Sequence, residues 1–300
     1  MFKKITIIGM GLIGSSLARV IRKKKISKHI IAHDKSSTVL QKVLKLKIAN
    51  TIEGSLAKSV LDSDLVIICT PLGTYKNIAI TIKPFIKKNC IVTDVGSAKL
   101  AVVKILDKIF KSNIAWIPGH PIAGTELSGP EAGFATLFQN RWCILTPVNK
   151  KNKTSLKKLI GFWRKTGSRV QTMTPEHHDK VMAITSHIPH LFAYNIVGTA
   201  ANLESSTKSE VIKYSASGFR DFTRIASSDP TMWKDIMIAN SKEILAMLKN
   251  FNNDLNVIKK AILKKNSKKL YQLFTKTKKI REDIIKAGQD ISKPNFGRES

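Results

Sequence analysis

The chain reads as an α/β domain with a parallel-rich sheet followed by an all-helical half, and three features predict this. Short apolar runs alternate with helix-period segments through residues 1–173. A glycine-rich turn, Gly9 to Gly14, joins the first apolar run to the first helix. From Thr174 onward the pattern is helix-periodic with one main interruption. Continuous apolar strands separated by helices imply a parallel sheet covered on both faces. The expected domains are therefore residues 1–173 and 174–300.

Lys4 to Gly9 predicts the first strand and Leu12 to Lys24 the first helix. His29 to Asp34 predicts a strand, and Ser37 to Leu46 a helix. Leu65 to Thr70 predicts a strand ended by Pro71, followed by a helix over Tyr75 to Lys87. Strand Ile91 to Val95, helix Ala98 to Lys111 and strand Ile114 to Ile117 continue the alternation. Strand Trp142 to Thr146, a helix from Thr154 to Thr166 and strand Arg169 to Thr172 complete this half. Thr174-Pro175 and Asp229-Pro230 each set an N-cap before a proline at the first helical position. A loop is expected over Ser215 to Ser228, and a frayed tail over Gln289 to Ser300.

Apolar residues make up 43% of the chain, enough for a sizeable core. The formal charge of +30 raises the question of nucleic acid. The lysines, however, are scattered along helix faces, as in Lys259-Lys260 and Lys268-Lys269, and Ile and Asn are abundant with them. That pattern reads as a solvated surface, one that would draw in an anionic ligand, and no nucleic-acid partner is expected. The three cysteines, Cys69, Cys90 and Cys143, are widely spaced with no CxxC, so neither a zinc site nor a redox pair is expected. No apolar run reaches ~18 residues and no secretory leader is evident, so a cytoplasmic chain with no membrane contact is expected.

Gly9-Met10-Gly11-Leu12-Ile13-Gly14 is GxGxxG between a strand and a helix, the context a Rossmann-type dinucleotide site requires. Gly9 permits the tight turn, Gly11 lets backbone approach a pyrophosphate, and Gly14 lets helix and strand pack closely. Leu12 and Ile13 open the helix whose N–H groups face the phosphates. Asp34, at the end of the second strand, is placed to accept from ribose hydroxyls and to repel a 2′-phosphate. NAD is thus expected over NADP, although Lys35 beside it pulls the other way. Thr70 and Pro71 end a strand at the sheet's carboxyl edge, where either cofactor contact or plain strand termination accounts for them.

Four further segments carry chemistry. Ser97, in Asp94-Val95-Gly96-Ser97-Ala98-Lys99, either bonds a substrate hydroxyl or caps the following helix. His120 lies between Gly119 and Pro121 on an expected loop after a strand, where an imidazole can accept a proton as an alcohol is oxidised. His187 and His190, at i and i+3 in Thr185-Ser186-His187-Ile188-Pro189-His190, share a helix face. No acid accompanies them at ligand spacing, so they read as lining a cleft rather than holding a metal. Arg220 or Arg224 offers a guanidinium fork for a carboxylate.

Together these motifs resemble one family, the prephenate dehydrogenases and the related arogenate or cyclohexadienyl dehydrogenases. The similar segments are GMGLIGSS from Gly9, TDVGSAK from Thr93, GHPIAGTE from Gly119, SGPEAG from Ser128, TSHIPH from Thr185 and FRDFTRIASSDPTMW from Phe219. The resemblance implies that His120 is the catalytic histidine, that Ser97 assists it, and that Arg224 binds a substrate carboxylate. It implies a cleft role for His187 or His190, and a lining or gating role for Thr125, Glu126, Asp221 and Trp233. It also implies NAD-dependent oxidative decarboxylation of prephenate, or of arogenate, in tyrosine biosynthesis. A homodimer through the helical domain would follow. Ala216-Ser217 departs from the glycine-rich stretch usual in the family, and at this length no fused mutase or regulatory domain is expected. Two rivals stand beside this reading: a β-hydroxyacid dehydrogenase with a catalytic lysine, and a basic NAD-binding sensor.

Overall fold

The computed structural model describes residues 2–110, 114–149, 152–207 and 210–286, so the expected fraying of Gln289 to Ser300 lies outside the described residues. The chain divides into two compact units, residues 1–244 and 245–300.

The first unit opens with a doubly wound sheet. Its strands are β1 (Lys4–Ile8), β2 (His29–His33), β3 (Thr51–Ile52), β4 (Leu65–Ile68), β5 (Ile91–Asp94) and β6 (Ala115–Trp116). All pair in parallel in the order β3-β2-β1-β4-β5-β6. The helices between them are α1 (Leu12–Lys23), α2 (Ser37–Lys45), α3 (Leu56–Ser59), α4 (Tyr75–Ile82) and α5 (Leu100–Phe110). Side chains alternate between the two faces of a strand, and both faces here are covered, which explains why apolar residues run consecutively along the central strands. Ile5, Ile7, Leu65, Ile67 and Ile91 join one core cluster, whereas Ile8, Val66, Ile68 and Val92 join the other. Strand order reverses between β1 and β4, the crevice where open α/β sheets bind ligands.

A second sheet departs from the single sheet that the strand pattern suggests. β7 (Gly119–Pro121) runs antiparallel to β8 (Trp142–Leu145), which pairs in parallel with β9 (Arg169–Thr172). His120 therefore sits on a strand opposite Ile144, not on the expected loop. Gly and Pro flank it, which reads locally as a turn; only pairing with a strand some two dozen residues on makes it β. α6 (Lys153–Thr166) covers this sheet, and its buried Trp163 packs edge-on to Phe138 and Phe162.

α7 (Pro175–Met182) begins with Thr174 accepting from the His177 N–H, the expected cap. One π turn, Ala183–His187, leads into α8 (Ile188–Thr207), so the segment widens the helix rather than breaking it. α9 (Glu210–Lys213) follows. The expected loop from Ser215 to Ser228 is mostly helical: α10 (Ser217–Thr223) and a 3₁₀ turn over Arg224–Ser227. Its polar and aromatic residues lack helical periodicity, which is why the sequence hides it. α11 (Pro230–Ala239) starts with Asp229 accepting from the Met232 N–H. α12 (Ser241–Leu263) and α13 (Ser267–Lys286) complete the described residues.

The second unit holds most of α12 and all of α13. Ile262, Leu263, Tyr271, Phe274 and Ile280 are exposed there. Among the described residues no helix is long and apolar enough to cross a membrane.

Candidate active site

The glycine turn is shaped by three different constraints. Gly9 adopts φ +93° and donates its N–H to the His33 carbonyl at 2.8 Å, tying β1 to the end of β2. A Cβ there would meet Thr70 Cγ2 at 2.8 Å, and one on Gly14 would run into the Gly9 carbonyl. Gly11, in contrast, has no atom within 4 Å of where a Cβ would stand. The first turn of α1 has no side-chain cap and no acidic residue, so its N–H groups and positive end are available to an anion. Leu12 and Ile13 pack partly buried against the core. Asp34 accepts from the Met10 N–H at 2.8 Å and the Ser36 N–H at 3.0 Å, bracing both the turn and the start of α2. An open cradle, an uncapped helix end and an acid closing β2 fit a dinucleotide.

Two neighbouring segments complete this end. β4 stops at Ile68, so Thr70 and Pro71 lie just beyond it, with Thr70 Oγ1 bonded to Thr74 Oγ1 at 2.8 Å. The SGPEAG segment presses on α1: the Phe134 N–H donates to Ser16 Oγ at 3.1 Å and Arg19 Nη1 to the Pro130 carbonyl at 2.9 Å.

The chemistry-bearing end is built around a buried ion pair. Lys99 Nζ donates to Asp94 Oδ2 at 2.5 Å and to the Gly119 carbonyl at 2.7 Å, with both side chains fully buried. The Gly119 N–H donates to Asp94 Oδ1 at 3.1 Å, so Asp94 and Lys99 grip the backbone immediately before His120. Lys99 is thus bound in place between Asp94 and the Gly119 carbonyl.

His120 is 7% exposed, and its Nδ1 lies 2.8 Å from His178 Nε2. His178 Nδ1 lies 2.8 Å from Asp179 Oδ1. The same carboxylate accepts the Lys99 N–H at 2.8 Å and the Leu100 N–H at 2.9 Å. Asp179 therefore caps α5, the role the sequence offered to Ser97; Ser97 instead lies part-buried two residues before that cap. Burial above all holds His120 well below the ordinary histidine range; His178, the Lys99 ammonium and His187 add to the effect. The imidazole is accordingly neutral and able to accept a proton.

Asn240 Nδ2 donates to the Asp179 carbonyl at 2.8 Å and lies 3.0 Å from His187 Nδ1. An amide N–H₂ only donates, so His187 Nδ1 accepts and its Nε2 carries the hydrogen. That Nε2 is buried with no partner in hydrogen-bonding geometry among the described residues. Burial above all takes the His187 pKa down to about 4, against the pull of the Asp179 carboxylate and, more weakly, of the Ser97 backbone. The Trp233 ring stands edge-on to His187 at 6.1 Å and stacks on His190 at 3.7 Å, and its own Nε1 is also buried without a partner. His190 is part-buried and feels the Arg224 charge. Arg224 Nη1 donates to Glu126 Oε2 at 3.0 Å.

The structure thus links His120, His187, Trp233 and His190 through one run of contacts, and the charge of Arg224, paired with Glu126, acts on His190. Thr125 is exposed, its Oγ1 accepting from the Leu127 N–H at 3.3 Å, and Asp221 is exposed on α10. Neither is drawn into the network by a hydrogen bond. His178, Asp179, Asn240 and Lys99 escaped the sequence reading. The signal for two of them was present: Pro175, His178, Asp179 and Met182 form the buried stripe of α7, and a polar pair on such a stripe demands partners. Among the described residues no group of three or more His, Cys, Asp or Glu could hold a metal.

A doubly wound nucleotide domain, a neutral buried histidine next to its cleft and a helical half bearing cationic groups define a dinucleotide-dependent dehydrogenase. Residues 17–172 match the model of the prephenate dehydrogenase nucleotide-binding domain, and residues 174–276 that of the prephenate dehydrogenase dimerization domain. The chain belongs to the prephenate dehydrogenase family of NAD-dependent oxidoreductases. It is 37% identical to a cyclohexadienyl dehydrogenase of Zymomonas mobilis, over 97% of this chain and 98% of that one. It is 34% identical to the prephenate dehydrogenase of Bacillus subtilis, over 93% of this chain and 76% of that one. The crystal structure of prephenate dehydrogenase from A. aeolicus, in complex with hydroxyphenyl propionate and NAD+, superposes with a TM-score of 0.89. Identity there is 32%, with 95% of this chain and 99% of that one covered.

Proposed function

We propose that the chain oxidatively decarboxylates prephenate to 4-hydroxyphenylpyruvate, with NAD as cofactor, in tyrosine biosynthesis. The observation that carries this is His120: buried, neutral, with Nδ1 committed to His178 and Nε2 left for a substrate hydroxyl. The open cradle at Gly11, the first turn of α1 and Asp34 hold the dinucleotide. Bound NAD supplies the hydride acceptor. His120 draws on the ring-hydroxyl proton while carbonyl character develops at that carbon, and returns it once carbon dioxide has left and the ring is a phenol. Hydride, carbon dioxide and the phenol account for all atoms and electrons, so the base ends as it began. A positioned base contributes typically ~10²- to 10⁴-fold, and holding the substrate in register supplies much of the rest.

Arg224 takes a substrate carboxylate, exchanging Glu126 for it, and Ser97 lies on the approach to the ring hydroxyl. The unpartnered Nε1–H of Trp233 is a further donor for a dianion, and His190, stacked on Trp233, sets that ring's position. Thr125 and Asp221 line the mouth in this reading. The 37% identity to a cyclohexadienyl dehydrogenase favours a second reading, in which arogenate is also accepted and tyrosine forms directly. Initial rates with prephenate and arogenate, each with NAD and NADP, decide between them; turnover of neither substrate rejects both.

Division of labour at residue 173/174 is supported by the family models, which meet there. A homodimer is supported by the dimerization-domain match and by the exposed apolar residues of α12 and α13. Light scattering should then give about twice the 33.3 kDa chain mass. The cytoplasm is the proposed compartment, in keeping with free thiols at Cys69, Cys90 and Cys143.

A further inference from the structure

We infer that His178 and Asp179 act as positioning residues that lock His120 in the tautomer with its lone pair on Nε2. The inference rests on reading His120 as the base. The Asp179 carboxylate already receives two backbone N–H groups, from Lys99 and Leu100, and so serves as an acceptor. Its third partner, His178 Nδ1, at 2.8 Å, must then carry a hydrogen. A neutral His178 has its lone pair on Nε2, the atom 2.8 Å from His120 Nδ1. His120 Nδ1 must therefore donate, and only Nε2 remains to accept a proton. Burial pushes His178 below the ordinary histidine range against the pull of Asp179, in keeping with a neutral ring.

The relay is also held rigidly. His178 and Asp179 are 0% and 1% exposed, the two rings meet edge-on at 5.0 Å between centroids, and Asp179 is fixed to the N-terminus of α5. Asn240 clamps the Asp179 carbonyl from the end of α11. The other charged or titratable groups around His120 are Lys99 and Asp94 from the β5–α5 connection and His187 from the π turn. A doubly protonated His178 would reverse the bond, place the His120 hydrogen on Nε2 and abolish its function as a base. The relay thus makes the orientation of one proton in α7 a condition for chemistry at β7.

The test compares full-length wild type, His178→Leu, His178→Gln and His120→Asn, all saturated with NAD. The readouts are NAD affinity, kcat and KM for prephenate, the pH profile of kcat, and ring ¹⁵N spectra of histidine-labelled protein. Gln presents an acceptor where His178 Nε2 stood; Leu does not. Wild type is expected to show the Nδ1–H tautomer for His120. His178→Leu is expected to bind NAD normally, lose ~10²- to 10⁴-fold in kcat with KM little changed, and lose the single tautomer. His178→Gln should recover more than ~10-fold of that loss and restore the tautomer. A wild-type His120 protonated on Nε2, or wild-type kcat in His178→Leu while His120→Asn is inactive, overturns the relay. Normal turnover by His120→Asn instead removes the base itself, and the relay falls with it. If His178→Leu does not fold, the wild-type tautomer and the Gln variant still decide.

Discussion

Arg224 Nη1 and Glu126 Oε2 stand 3.0 Å apart, each side chain about a third exposed, so the guanidinium read as a carboxylate binder is already paired within the chain. A part-exposed pair of this kind is worth only ~0–1 kcal/mol, which a substrate carboxylate can outcompete. Arg224→Ala should raise KM for prephenate by roughly 10- to 100-fold, the worth of a charge-assisted hydrogen bond, with a smaller effect on kcat. Glu126→Gln should lower KM by no more than about fivefold. Steady-state kinetics of both variants check this; a raised KM in Glu126→Gln would make Glu126 a substrate contact rather than a competitor.

Stability should fall as the medium becomes acidic, because His187 is held neutral in the fold. Its folded pKa of about 4 lies below the ordinary 6.5, so the unfolded chain binds the extra proton between those values. The penalty is absent above pH ~6.5, grows as pH falls, and saturates near pH ~4 at about 3 kcal/mol for this one group. His187→Gln should lessen the fall of the denaturation midpoint with pH across that window, the rest coming from the other buried histidines, His120 and His178. An unchanged slope would mean that His187 does not carry the acid sensitivity.

Gly11→Ala and Gly14→Ala should part company. The first adds a methyl group to open space, the second drives it into the Gly9 carbonyl. Gly14→Ala should cost ~1–3 kcal/mol or more and lower Tm by several degrees. Gly11→Ala should melt with wild type but bind NAD at least ~10-fold more weakly. Calorimetry with NAD titration separates them; equal Tm losses would undo the distinction.

Asp34→Ala should reduce the preference for NAD over NADP by at least ~10-fold, since the repulsion toward a 2′-phosphate goes with it. It also removes acceptors for the Met10 and Ser36 N–H groups, so NAD binding itself should weaken. The ratio of kcat/KM for the two cofactors is the check, and an unchanged ratio would assign selectivity elsewhere.

What was legible in the sequence is what is local. β1, the glycine turn and α1 are written in consecutive residues, as are the Thr174-Pro175 and Asp229-Pro230 helix starts. β7 was not legible, because three residues flanked by Gly and Pro become a strand only through pairing with β8. The helical turns from Ser217 to Ser227 were hidden by a composition without period. His120 stood out by its setting, but its support did not. His178 lies 58 positions away in sequence, and Asp179, whose carboxylate takes the capping role that was one of two readings of Ser97, is joined to the site only by tertiary packing. Lys99 was lost among many lysines, since burial, not identity, sets it apart.

The most direct measurement is turnover of prephenate by His120→Asn under saturating NAD, read as NADH together with 4-hydroxyphenylpyruvate. NAD affinity should match wild type while kcat falls by ~10²- to 10⁴-fold, because Asn offers no imidazole to share the hydroxyl proton. Near-wild-type kcat in a variant that still binds NAD would contradict the assignment of His120 as the base.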